Sequence, residues 1–288
     1  MVTGQLFMIQ ENFKINNKPA SNLAFNHLSI QFSLDGFSFC VLNKDEKKFI
    51  ALYNYHFKET NQTPQKAIDN ITKLFGTNPL LKEKYHSVNI THTNNLSALV
   101  PKPLFQEEKI SSYLSYNNKV LKHDFFAFDE LENHDIVNVY VPYVNINNFF
   151  IDQFGGFEYK HFSTILIENL IDIYKFSLVP HMFVNVGATH FEIIVIFNRK
   201  LQLYNTFEYK TKEDFIYYIL FVTEQLKLNP EKFELKLLGA VEKDDELYNI
   251  AYSYVRNVSL IENRSKYSFS DDFTEDTKRH FFTLLHQF

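Results

Sequence analysis

One order of elements runs twice along this chain, and that repetition constrains the fold more than any other feature. The stretch Leu28-Ser29-Ile30-Gln31-Phe32-Ser33-Leu34 alternates, breaks at Asp35-Gly36 and resumes as Phe37-Ser38-Phe39-Cys40-Val41-Leu42. Asp-Gly between two apolar runs predicts a hairpin, with Gly36 supplying the positive φ of a primed turn. Residues 49–55 read as a third strand. Thr63-Pro64 then reads as an N-cap with proline at the first helical position. Ala67, Ile68, Ile71, Leu74 and Phe75 recur at helical spacing, Gly76 closes the helix, and residues 87–91 form another strand.

About 150 residues later the order returns, a period too long for a solenoid. Residues 181–186 and 190–197 are predicted strands around Gly187-Ala188-Thr189, and Asn198-Arg199-Lys200 turns the chain into a third strand over 201–207. Thr211, with Asp214 three positions on, is a near match to a capping box. The helix it opens is apolar over much of its circumference (Phe215, Ile216, Ile219, Leu220, Val222, Leu226), which predicts deep burial. A strand over 233–239 closes the second copy. Leu52-Tyr53-Asn54 and Leu203-Tyr204-Asn205 are locally identical, both late in the third strand. The expectation is a duplicated α/β fold of two β-β-β-α-β halves with mixed sheets. Residues 1–24 form an N-terminal extension, 25–156 the first half, and 157–288 a linker helix, the second half and a terminal helix. Gly155-Gly156 is the break between halves, a strand over 136–141 and a short helix over 147–154 precede it, and the chain ends in an amphipathic helix over 274–286.

Composition excludes several classes. The chain is 288 residues long and 45% hydrophobic, with seven Gly and eight Pro, which is globular rather than disordered or fibrous. Its net charge is -5 and only four basic residues are Arg, so no nucleic-acid partner is expected. Cys40 is the single cysteine, sits in an apolar run and reads as a small buried hydrophobe. Nowhere do ~18 apolar residues run uninterrupted, and the first residues lack a basic, apolar leader, so the expectation is a cytoplasmic chain with no transmembrane segment. No P-loop, G-x-G-x-x-G or G-x-S-x-G motif is present, and the eleven His are scattered without metal-ligand spacing.

A hairpin opening each of two similar halves resembles the actin-like ATPase superfamily, whose members include sugar kinases and Hsp70 chaperones. In that superfamily two hairpin turns face each other across a cleft, wrap phosphates with backbone N–H groups and carry an Asp-x-Gly carboxylate for Mg²⁺. The resemblance implies ATP with Mg²⁺ as the cofactor and nominates Asp35, Gly36, Asn185, Gly187, Thr189 and Gly239 as nucleotide-binding candidates. The match departs from the pattern. Asn185-Val186-Gly187-Ala188-Thr189 has Asn in the Asp place, Asp35 and Gly36 are adjacent, and the adenine-side glycines are reduced to Leu238-Gly239-Ala240. Phe37 and His190 are expected to fill the cleft.

A narrower resemblance is carried by Ser97-Ala98-Leu99-Val100-Pro101-Lys102-Pro103-Leu104-Phe105, by Leu203-Tyr204-Asn205-Thr206-Phe207, and by the helix over 214–228 before Leu237-Leu238-Gly239. These segments are similar to an uncharacterised bacterial family (domain of unknown function 3822) with a degenerate actin-like, RNase H-like fold, and the resemblance spans roughly residues 25–262. It implies the fold and no reaction. Three readings stay open. The first is a non-catalytic pseudo-ATPase that binds or scaffolds an unknown protein partner. The second is an ATPase or small-molecule kinase with Asp35 as its carboxylate. The third is a docking component of a cell-envelope assembly that uses Phe281, Phe282, Leu284, Leu285 and Phe288, residues for which packing on the second half is the preferred role.

Overall fold

A computed structural model describes residues 9–16, 25–58, 63–116, 124–131 and 134–288. The chain forms two compact units. The first takes residues 1–165, 265–273 and 283–288, and the second takes 166–264 and 274–282. The first unit contains β1 (Ile9–Asn16), β2 (Asn26–Phe32), β3 (Gly36–Asn43), β4 (Lys48–Phe57), α1 (Pro64–Thr77) and β5 (Ser87–His92). It continues through β6 (Ser97–Pro101), α2 (Ile110–Ser115), β7 (Ala127–Leu131), β8 (Ile136–Tyr140), α3 (Val144–Phe154) and β9 (Glu158–His161). Helix α4 (Phe162–Tyr174) runs from the first unit into the second. There follow β10 (His181–Val186), β11 (His190–Phe197), β12 (Lys200–Glu208), α5 (Lys212–Gln225), β13 (Glu234–Gly239), α6 (Glu246–Tyr254) and β14 (Asn257–Leu260). β15 (Ser268–Phe269) rejoins the first unit and α7 (Glu275–His280) belongs to the second.

The two main sheets share one plan. Strand order is β1-β4-β3-β2-β5-β9 in the first unit, with β15 beside β4, and β12-β11-β10-β13-β14 in the second. In each, three antiparallel strands, β4-β3-β2 and β12-β11-β10, are extended by two parallel ones, β2 to β5 to β9 and β10 to β13 to β14, and the first sheet adds β1 antiparallel to β4. This is the RNase H-like arrangement, present twice. A bulge recurs at one place, between Val41 and Leu42 in the first sheet and between Val195 and Ile196 in the second. Counted from the hairpins these are the same positions, so the duplication extends to an irregularity that regular strand pairing does not require. The first unit adds a small antiparallel sheet, β6-β8-β7, after β5.

Each core follows from strand alternation against one helix. In the first unit Ala67, Ile71, Leu74 and Phe75 of α1 pack with Leu28, Ile30, Phe37, Phe39 and Phe150. In the second, Phe215, Ile216, Ile219 and Val222 of α5 pack with Val184, Phe191, Ile193 and Leu237. Cys40 is fully buried beneath Leu284.

Four local expectations are corrected. Gly36 does not adopt positive φ, because the connection has four residues (33–36) and Phe32 pairs with Phe37. The primed geometry sits in the second unit instead, where Asn198 (φ 51°) and Arg199 (φ 62°) fill the two-residue turn between β11 and β12. Gly76 lies inside α1 rather than closing it, since Asn78 caps the end by donating its N–H to Leu74 O. The terminal helix stops at His280, and a separate 3-10 turn, Leu284–His286, packs on β2 and β3. Leu284 and Leu285 are buried, but on the first unit's sheet and not on the second half as expected; only Phe281 and Phe282 stay with the second unit. Finally, α5 buries one face only, leaving Tyr217 and Phe221 exposed.

Candidate functional site

Asn185 and Val186 end β10, residues 187–190 form the hairpin loop, and β11 returns from His190. Gly187 N donates to His190 O at 2.9 Å, Tyr209 N donates to Thr189 O at 3.1 Å, and the Tyr209 hydroxyl donates to Gly187 O at 2.8 Å. A Cβ on Gly187 would lie 2.9 Å from His190 O. On the other side of β10, Gly239 ends β13 with φ 83°, and Ala240 N donates to Val186 O at 2.8 Å. A Cβ on Gly239 would lie 2.3 Å from Val186 O and 2.9 Å from Asn185 Oδ1. Both glycines are therefore required by backbones in close approach. Of the six residues nominated from sequence, Asn185, Gly187, Thr189 and Gly239 come together here.

Between them lies a group that sequence reasoning missed. Glu192 pairs across the strands with Asn185 and is 5% exposed. It accepts a hydrogen bond from Asn185 Nδ2 at 2.8 Å, and half-exposed His190 places Nε2 3.5 Å from its other oxygen. Burial pushes the Glu192 carboxyl above its ordinary range, against the opposing pull of Asn185 and His190. The detectable signal is a lone acid in the apolar run Phe191-Glu192-Ile193-Ile194.

Asp35 and Gly36 belong to the corresponding loop of the first unit. Ser33 N donates to Gly36 O at 3.0 Å and Phe57 N to Asp35 O at 2.8 Å, reproducing both backbone bonds of the second loop. That equivalence makes Asp35 the counterpart of Thr189 and gives Gln31, not Asp35, the position that Asn185 has in the second unit. Asp35 accepts from Ser33 Oγ at 2.5 Å, and Gln31 Oε1 accepts from Thr283 at 2.8 Å. Phe37, expected to fill the cleft, lies instead in the first unit's own core. It is the first β3 residue on the core face, 1% exposed and packed on Phe39 and Phe75.

Chemically, the second loop offers close-approach backbone, a threonine hydroxyl, a neutral carboxamide already committed to Glu192, and a carboxyl biased toward its protonated form. Such donors do not fit a divalent cation, which needs ionised oxygens. Among the described residues no group of three or more His, Cys, Asp or Glu converges to hold a metal.

Two similar RNase H-like halves, each opening on the same hairpin loop, define an actin-like ATPase fold. The chain belongs to a family of proteins of unknown function (DUF3822), whose profile it matches over residues 15–258. Among solved structures it is similar to a Bacteroides thetaiotaomicron protein with an actin-like ATPase fold and unknown function. That match has 24% identity, covers 83% of this chain and 91% of the other, and gives a TM-score of 0.73. It is also similar to a chain of the PilM–PilN type IV pilus biogenesis complex, at 11% identity, with 90% and 96% coverage and a TM-score of 0.59. Among curated proteins none matches.

Proposed function

We propose that this chain is an actin-like protein that works by binding a protein partner in the cytoplasm rather than by hydrolysing a nucleotide. One observation carries the reading: the paired positions that the resemblance assigns to metal-holding carboxylates are both carboxamides, Gln31 and Asn185. A carboxamide keeps the shape of a carboxylate and loses its charge, so phosphate and Mg²⁺ lose their main shared anchor. Asn185, Gly187, Thr189 and Gly239 then serve as a shaped surface or a weak nucleotide contact, and Asp35-Gly36 as a structural turn. The solved complex of PilM with PilN supports a protein partner for this fold, and that likeness makes a cell-envelope assembly the natural place to seek one.

A second reading, an ATPase or small-molecule kinase, draws on Glu192, a carboxyl within reach of the loop. Purified protein incubated with ATP, ADP or GTP, with and without Mg²⁺, separates the two. The expected result is no Mg²⁺-dependent release of phosphate. Turnover that requires Mg²⁺ and falls in both Glu192→Gln and Gly187→Val would overturn the binding-only reading.

A further inference from the structure

At the end of the first sheet away from the 33–36 loop, a cavity of about 490 Å³ opens among the starts of β2 and β5, the turn after β3 and the start of β9. It lies within the size range of small-molecule sites. β2 has seven residues and separates the two ends by on the order of 20 Å. The cavity is therefore a different place from the hairpin.

Its polar wall is cationic. Lys44 Nζ donates to Ser87 Oγ at 3.3 Å, and Ser87 Oγ meets His27 Nδ1 at 2.5 Å. Ser87 Oγ, accepting from Lys44, can give its own proton to Nδ1 or accept one from it, so either imidazole tautomer meets the contact. His27 is 5% exposed, and its Nε2 has no hydrogen-bond partner in the chain. A buried polar atom without a partner is costly in either tautomer. His86, beside Ser87, lines the same wall. Among the described residues no carboxylate lies within ion-pair distance of Lys44, and Glu158 is the single acidic residue in the lining.

Aromatic rings line the same cavity. Phe288 stands edge-on to His27 at 4.6 Å and to Tyr267 at 5.5 Å, and Phe157 completes the face. A free oxyanion would occupy only a fraction of this volume. Polar donors and aromatic rings lining one cavity suit a compound with a tetrahedral oxyanion at one end and a ring or apolar body at the other.

We propose that this cavity binds a small organic phosphomonoester, its phosphate held by Lys44 and His86 and its body lying against Phe157, Tyr267 and Phe288. Phosphate rather than carboxylate follows from the donors, since a lysine ammonium with several N–H groups and a neighbouring ring suit an anion with several acceptor oxygens. The test is titration of the full chain with phenyl phosphate and, separately, inorganic phosphate, followed by calorimetry and by the ³¹P signal. Saturable binding of phenyl phosphate is expected, tighter than inorganic phosphate and weakened at least tenfold in Lys44→Ala and in His86→Ala. Both side chains are exposed, so the variants should melt with the parent when no ligand is present. Absence of saturable binding to the parent, or affinity unchanged in the two variants, overturns the proposal.

Discussion

Glu192 is a carboxyl set into an apolar strand, held by one amide and one imidazole and otherwise screened from water. Burial raises it above the ordinary glutamate value of 4.5. Between 4.5 and that raised value the native chain holds a proton that the unfolded chain has released, so this group's contribution to stability declines as pH rises through the window. Glu192→Gln keeps the acceptor for Asn185 and removes the titration. Urea unfolding should therefore show the variant as stable as the parent or more so at pH 8, with any difference narrowing as pH falls toward 6. A variant weaker than the parent at pH 8 would mean the ionised carboxylate is what the site uses. Asn185, Gly187 and Gly239 were legible in the sequence because glycines near a strand end announce close backbone approach. Glu192 was not, because its partner is fixed by strand register across a four-residue loop, and loop length is not written in any single residue.

Helix α1 shows how an element can be right in kind and misread at its end. Gly76 looked like a terminator, yet Thr77 continues the helix and Asn78 caps both it and the 3-10 turn that follows. Gly76 is exposed, does not use positive φ, and a Cβ added there meets nothing within 4 Å. Its flexibility is therefore a cost without a function in the helix, and Gly76→Ala should stabilise the chain by about 0.5–1 kcal/mol, read as a higher urea midpoint at unchanged slope. Loss of stability would show that the glycine answers a need outside α1. The repeat itself was legible from element order, and its best local support was a coincidence. Counted from the hairpins, Ala51 takes the place of Leu203 and Leu52 that of Tyr204, so the two Leu-Tyr-Asn runs stand one residue out of register. One residue along a strand exchanges its faces, and accordingly Leu52 and Tyr53 are buried while Asn205 is exposed. Of the small sheet β6-β8-β7 only β8 was read as a strand, because its partners pair with it across intervening chain.

Across the whole molecule the buried histidines are the most consequential charges. His27, His92 and His161 in the first unit and His181 in the second are all held neutral, with values lowered to about 4, 4, 3 and 4, burial being the largest cause in each. Hydrogen bonds show why two of them resist a second proton. His161 Nδ1 accepts from Ser163 N at 3.2 Å and His92 Nδ1 accepts from Tyr143 N at 3.4 Å, so protonation at either Nδ1 would set N–H against N–H. Their Nε2 protons go to Asn94 O at 3.1 Å and Asn147 Oδ1 at 2.8 Å. In the unfolded chain these rings titrate near 6.5, so below that pH the unfolded state binds more protons and gains on the native one. Each such proton changes stability by about 1.4 kcal/mol per pH unit. Asp129 and Glu192, both raised by burial, work in the opposite sense above about pH 4, but they are two groups against four. Net stability is only about 5–15 kcal/mol for a folded domain, so the histidine deficit should exhaust it before the rings reach their native values. The expected urea midpoint is steady between pH 7 and 8, falls from about pH 6.5, and reaches zero above pH 4. Because the histidines lie in both units, near-ultraviolet circular dichroism and far-ultraviolet circular dichroism should lose signal together. A midpoint that held or rose down to pH 5 would mean that water or a counter-charge reaches these rings, and the neutral buried network would have to be abandoned.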